Sequence, residues 1–222
     1  MAGAETVRLA DLTGQRFVYY PLHTEPETSL QTLSPEYFYQ LSSIAALSRD
    51  LPAGAVLAVK ETFAAIGRRP RDFYGQLREF KNVVLLDINE FGLHCAQQAD
   101  ATATITGTGG FEAAVMGRPV VSFGRHNLYN ILPHVLAVSD ESDIAGFLRR
   151  VFEGDFDGEQ ARVDGLRFLQ AVVDTSFDLG NFMVTRPDEI ADGAAAAACE
   201  ALVATLADTR QGVRERAEEA AL

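Results

Sequence analysis

The chain has 222 residues, 47% hydrophobic and 23% charged, the balance of an ordinary globular protein. Its formal net charge of −12 excludes non-specific binding to nucleic acid or to an anionic membrane surface, both of which need a basic footprint. No stretch is long and apolar enough for a transmembrane helix, and Met1 to Gln15 lacks the basic start and apolar centre of a secretory signal. The two cysteines, Cys95 and Cys199, and the four histidines stand at no metal-ligand spacing. The cysteines read as ordinary buried thiols of a reducing compartment, so the chain is expected in the cytoplasm and without a metal.

Residues 1–15 are small or polar and are expected to be loosely ordered. Arg16 to Leu22, RFVYYPL, predicts a strand, and His23 to Ser34, rich in Thr, Glu, Pro and Ser, predicts a long loop. Pro35 to Leu51 has apolar residues at helical spacing, with Ser34 placed as a cap and Pro35 at the first helical position. Ala55 to Val59 predicts the second strand, Arg71 to Lys81 a short helix, and Asn82 to Asp87 a third strand. Glu90 to Ala99 predicts a helix. Ala103 to Thr106 predicts a fourth strand, Phe111 to Met116 a helix that Gly117 ends, and Pro119 to Phe123 a fifth strand. Val135 to Val138 and Glu141 to Phe152 complete the alternation. Beyond it, Gln160 to Val173 and the Ala-rich Ile190 to Ala207 read as helices, Asp174 to Asp188 as irregular, and Asp208 to Leu222 as a charged end.

Strands that alternate with helices, several of them apolar on both faces, predict an α/β fold: a Rossmann-like, doubly wound parallel sheet of about six strands over residues 16–155, with a helical extension over 156–222. Ligands of such sheets bind outside the carboxyl ends of the strands. The polar residues that fall there are His23 and Glu25 after the first strand, Lys60 and Glu61 after the second, and Asp87 and Asn89 after the third. Thr106, Gly107, Thr108, Gly109, Gly110 and Glu112 follow the fourth strand, and Gly124 and Arg125 the fifth.

The segment Thr104 to Gly124, TITGTGGFEAAVMGRPVVSFG, carries the most information. A glycine turn between a strand and a helix lets backbone N–H groups approach an anion, and the helix start adds unpaired N–H groups and partial positive charge. Gly109 and Gly110 are therefore expected to turn their N–H groups to an open crevice, and Glu112 to accept hydrogen bonds from ribose or sugar hydroxyls. The turn is neither GxGxxG nor a P-loop. From these four residues alone, a tight turn without a ligand fits equally well. Glu25 and Glu27 suit either a cleft or a solvated loop, and Glu61 suits a structural role, holding Lys60 or Arg68.

Taken in order, FVYYPLHTEPETSL, LPAGAVLAVKE, IGRRPRDFYGQL, NVVLLD and the glycine segment resemble the capsule polysaccharide biosynthesis family, whose members are similar to the Kdo transferases of capsule and lipopolysaccharide assembly. The resemblance spans Arg16 to Val151. It implies the carboxyl-terminal, donor-nucleotide half of a GT-B glycosyltransferase, with a nucleotide sugar, such as a CMP-linked one, as donor and no tightly bound cofactor. It further implies that Gly107 to Gly110 hold donor phosphate, Glu112 the ribose, and Lys60 phosphate charge, while His23 and Glu25 line the cleft. The base that activates the acceptor is expected from the other half, for which the chain has no room before Arg16: either a separate chain supplies that acceptor half as a partner, or the chain is an excised domain, or it has lost catalysis. Relatives carry Lys-Glu-His-Pro after the second strand, where this chain reads Lys60-Glu61-Thr62-Phe63. Two other readings stand beside the transferase: a non-catalytic nucleotide- or partner-binding subunit of a polysaccharide assembly system, and an enzyme like the nucleotide-sugar 2-epimerases.

Overall fold

The structure, a computed structural model, describes residues 5–176, 193 and 196–207. The chain divides into two compact units, Met1–Leu169 and Gln170–Leu222. The first holds a six-stranded sheet made of β1 (Phe17–Pro21), β2 (Val56–Lys60), β3 (Val83–Leu86), β4 (Ala101–Thr104), β5 (Val120–Ser122) and β6 (Val135–Ala137). Every pairing is parallel and the spatial order is β3-β2-β1-β4-β5-β6. This is the doubly wound arrangement that the alternation of elements predicts, with its switch point between β1 and β4.

The strands are short, and their side chains alternate between two covered faces. On one face Val18 and Tyr20, Leu57 and Val59, Ala101 and Ala103, and Val121 form a core with α2 (Leu41–Asp50), α3 (Phe73–Glu79) and α6 (Ser142–Glu153). The short α1 (Thr28–Leu33) adds Leu30 to it. The other face carries Tyr19, Thr102 and Thr104 beneath α4 (Gly92–Gln98) and α5 (Thr108–Val115). The first turns of α7 (Gly158–Asp174) pack behind α5, where the Phe168 ring lies 5.8 Å from Phe111. A sheet buried on both sides needs apolar residues at nearly every strand position, which is why NVVLLD and LAVK read as continuous rather than alternating.

The structure departs from the sequence reading at several places. Residues 5–15 are anchored rather than loose. Val7 forms a parallel bridge to Leu86 beside β3, and Leu9 and Leu12 are buried in a 3-10 turn. The His23–Ser34 stretch contains α1, and the single helix expected over Pro35–Leu51 is a 3-10 turn (Pro35–Tyr37) followed by α2. Ser34 stands at the N-cap of the 3-10 turn with Pro35 after it, but makes no side-chain cap bond, and Gln40, between the two pieces, turns its amide inward to His23. The first unit runs past residue 155 to Leu169, so the early turns of the extension belong with the sheet. Residues 196–207 are helical, and Cys199 there is exposed rather than buried, on a segment whose described side chains mostly face solvent. The irregular segment expected over Asp174–Asp188 and the charged end over Asp208–Leu222 lie almost wholly outside the described residues.

Candidate functional site

The glycine segment lies at the switch point, though not as the sequence predicts. β4 ends at Thr104, and α5 begins at Thr108, with Gly107 at its N-cap. Gly109 and Gly110 thus belong to the first helical turn, and Glu112 sits in the second. Their role is close packing. A Cβ on Gly109 would meet Pro21 Cγ at 2.9 Å, and one on Gly110 would run into Thr104 and Tyr129. A Cβ on Gly107 would stand 3.0 Å from His23 Nε2. Glycine at these positions lets α5 settle directly on the ends of β1 and β4.

That approach decides which N–H groups stay unpaired. Thr106 N–H donates to His23 Nε2 at 3.0 Å, Gly107 N–H to Thr104 Oγ1 at 3.2 Å, and Gly110 N–H to the Gly107 carbonyl at 3.3 Å. The N–H groups of Thr108 and Gly109 have no acceptor among the described residues. The expected pair of free donors is therefore shifted by one residue, since Gly110 closes a tight turn of its own.

Beside these donors is a crevice of about 410 Å3 lined by Tyr19, Pro21, Phe91, Gly92, Leu93, Thr108, Gly109 and Glu112. It separates the amino ends of α4 and α5 over the end of β1. A smaller hollow of about 230 Å3 between Pro133 and Asp164 lies at the opposite, amino-terminal edge of β6 and is remote from this chemistry. The Glu112 carboxylate makes no hydrogen bond or ion pair among the described residues, and burial pushes its pKa up. Burial also raises the Tyr19 phenol. An unpaired, partly buried carboxylate costs stability, so its placement in a crevice beside free N–H groups fits a ligand that supplies hydroxyl donors and an anion.

Lys60 ends β2 and donates to the Glu61 carbonyl at 3.2 Å. No carboxylate lies within salt-bridge distance of it among the described residues, so its charge remains available at the carboxyl edge.

The other cleft candidates are committed to structure. His23 is buried, with 6% of its surface exposed. Its N–H donates to Gln40 Oε1 at 2.6 Å, its carbonyl accepts from Gln40 Nε2 at 3.0 Å, and its Nδ1 lies 3.2 Å from the same Oε1. Both ring nitrogens are thus occupied, and burial, more than any charge, holds its pKa below the ordinary histidine value. Glu25 accepts from the Gln40 N–H at 3.1 Å and from Arg69 at 3.1 Å.

Arg69, which the sequence offers either as a loop charge or as a salt-bridge partner across the cleft, is the hub of this network. Its Nε donates to Glu61 Oε2 at 2.8 Å and its Nη2 to Glu61 Oε1 at 2.9 Å. A further bond goes to the His23 carbonyl, and the guanidinium stacks 4.9 Å from the centre of the Phe73 ring. Glu61 also takes the Tyr74 hydroxyl at 2.8 Å and the Thr62 N–H at 2.7 Å. Burial pushes the Glu61 carboxyl up, but the Arg69 and Tyr74 hydrogen bonds outweigh it and hold the pKa below the usual value. The structural role expected of Glu61 is present, with Arg69 as its partner in place of Lys60 or Arg68. Gln40 and Arg69 left little signal in the sequence. Gln40 falls inside the stretch read as one helix, and Arg69 stands among Arg68, Arg71 and Asp72, so nothing in the pattern marks either as buried.

Arg125 is exposed and pairs with Glu36 at 3.0 Å. His94 packs edge-on against Phe91, with ring centres 5.1 Å apart. No group of three or more His, Cys, Asp or Glu among the described residues is placed to hold a metal ion.

No protein-family model matches the chain, and no curated protein matches it. Solved structures do. KpsC from Thermosulfurimonas dismutans, a β-Kdo 2,4-transferase, shares 23% identity at a TM-score of 0.42, covering 55% of this chain and 38% of its own. The β-Kdo 2,7-transferase of the same KpsC shares 17% at 0.45, covering 70% and 55%. The UDP-GlcNAc 2-epimerase of Methanocaldococcus jannaschii shares 9% at 0.49, covering 74% and 48%. The chain spans between about a third and about half of the solved structures it resembles.

Proposed function

We propose that this chain is a donor-nucleotide-binding domain of the GT-B glycosyltransferase type, working on a nucleotide sugar in surface-polysaccharide assembly in the cytoplasm. The observation that carries the reading is the unpaired Glu112 carboxylate facing the switch-point crevice beside the free Thr108 and Gly109 N–H groups. Phosphate takes the N–H groups at the start of α5, where the helix dipole favours an anion. Glu112 accepts hydroxyls of the ribose, and Lys60 adds positive charge from the neighbouring strand end. The proposed donor is CMP-linked, in line with the resemblance of the sequence to the capsule family.

A second reading, a non-catalytic nucleotide-binding subunit, is favoured by one feature. The cleft candidates His23 and Glu25 are already engaged, His23 by Thr106 and Gln40 and Glu25 by Arg69, as is Glu61. Under either reading, sugar transfer draws its base and acceptor from a facing domain. The carboxyl edge suits such a partner, since Phe63, Phe91, Leu128 and Ile131 there are more than 60% exposed.

The test is a thermal-shift and calorimetric screen with CMP, CDP, UDP and GDP. A nucleotide at 100 times its Kd is expected to stabilise the domain by about 2.7 kcal/mol. Glu112→Gln is expected to weaken it by roughly tenfold, about the 1.5 kcal/mol of one hydrogen bond to a charged group. Absence of a shift with every nucleotide would overturn the reading. Multiple-turnover transfer by the chain alone would overturn the need for a facing domain.

A further inference from the structure

We propose that His23 is a positioning residue for the anion turn: its imidazole, fixed in one tautomer by Gln40, takes the Thr106 N–H into the fold and so reserves the Thr108 and Gly109 N–H groups for a ligand. The inference rests on the reading of that turn as a phosphate site.

The geometry sets the tautomer. Gln40 orients itself on the backbone of residue 23, because its Nε2 donates to the His23 carbonyl and its Oε1 accepts the His23 N–H. Oε1 therefore faces Nδ1 as an acceptor at 3.2 Å, and Nδ1 must carry the proton. Nε2 is then a lone pair, which is what the Thr106 N–H requires at 3.0 Å. Gln40 is completely buried, so neither group has water as an alternative. Arg69 completes the frame from the next loop by bonding the His23 carbonyl.

Four segments meet at this one residue: the end of β1, the start of α2, the turn into α5 and the loop after β2. Removing the Nε2 acceptor would leave the Thr106 N–H unpaired in a crowded place. The turn would then reorient, and the donors that follow it would move. Protonation would have the same effect, since an Nε2–H would oppose the Thr106 N–H. Glu27 and Glu25 favour that protonation, while burial and Arg69 oppose it, and Gln40 adds an acceptor for Nδ1.

Two substitutions separate the halves of the device. His23→Asn keeps a donor near the Nδ1 position but has no acceptor that reaches Thr106. His23→Gln places an amide oxygen near the Nε2 position. Hydrogen exchange and imidazole 15N shifts, with calorimetric titration of CMP, are the measurements. In the unaltered chain, the 15N shifts are expected to report a neutral Nδ1–H ring, with the Thr106 amide protected. His23→Asn is expected to speed Thr106 exchange at least tenfold and weaken CMP at least tenfold, and His23→Gln to restore most of both. An Nε2–H tautomer, or unchanged Thr106 protection in His23→Asn, overturns the proposal. Should His23→Asn not fold, the tautomer of the unaltered chain decides alone. Should CMP, UDP and GDP all fail to bind, the phosphate reading falls, while tautomer and exchange still judge the clamp.

Discussion

At the scale of single residues, Glu112 and Glu61 are carboxylates with opposite fates. Glu112 has a pKa raised by burial, with no partner to offset it. A raised folded value favours folding while the group is protonated, and that contribution is lost as pH rises through it. Glu112→Gln is therefore expected to raise Tm at neutral pH even as it weakens nucleotide binding, with the gain shrinking in acid below the ordinary glutamate range. Differential scanning calorimetry across pH checks this; a lower Tm at neutral pH would show a stabilising partner for Glu112. Glu61 has a lowered pKa, so its contribution is present above the ordinary carboxylate range and lost as pH falls through the folded value. Arg69→Leu strands Glu61 as a fully buried charge and is expected to cost about 3–5 kcal/mol at neutral pH. The deficit should narrow in acid, where Glu61 is neutral in the variant; denaturant unfolding at two pH values measures it. Of these residues the sequence made Glu112 legible, by its distance from a glycine turn. It hid Arg69, because a buried arginine in IGRRPRDFY looks the same as its exposed neighbour Arg68 until the carboxylates around it are seen.

At the scale of elements, α5 is held by glycines on two sides. Gly110 faces Thr104 and Tyr129 beneath it. Behind it, a Cβ on Gly165 of α7 would stand 2.5 Å from the Val115 carbonyl. Backbone cannot yield as a side-chain tip can, so Gly165→Ala is expected to destabilise by about 1–3 kcal/mol, the usual cost of overpacking. Gly146→Ala on the open side of α6, with nothing near its Cβ, is expected instead to stabilise by about 0.4–1 kcal/mol through the unfolded chain. Chemical denaturation of the pair distinguishes packing from backbone entropy. The same contacts explain why Gly109→Val is a poor probe of phosphate binding, since its side chain would strike Pro21. The type and order of the strands and major helices were legible because apolar runs and turn residues alternate at the right lengths. The helix start at Thr108 was not, since glycine favours the turn over the helix wherever packing does not override it.

At the scale of the whole molecule, the parallel sheet follows from the sequence once its strands are seen to be buried on both faces. The anchoring of Val7 beside β3 does not, because one bridge and two buried leucines make too short a pattern to recognise. The switch point itself has a consequence for how the chain comes together. β1, β2 and β3 join through crossovers confined to Phe17–Leu86, and β4, β5 and β6 through crossovers within Ala101–Ala137. The two triplets meet along one suture, where Val18 pairs with Ala101 and Tyr19 with Thr102. His23 comes from one side of that suture and Thr106 from the other, 83 positions apart in sequence. Neither triplet owns the crevice. A chain cleaved within residues 87–90 would yield two fragments, each with part of the lining, and nucleotide binding would serve as a reporter of their complementation.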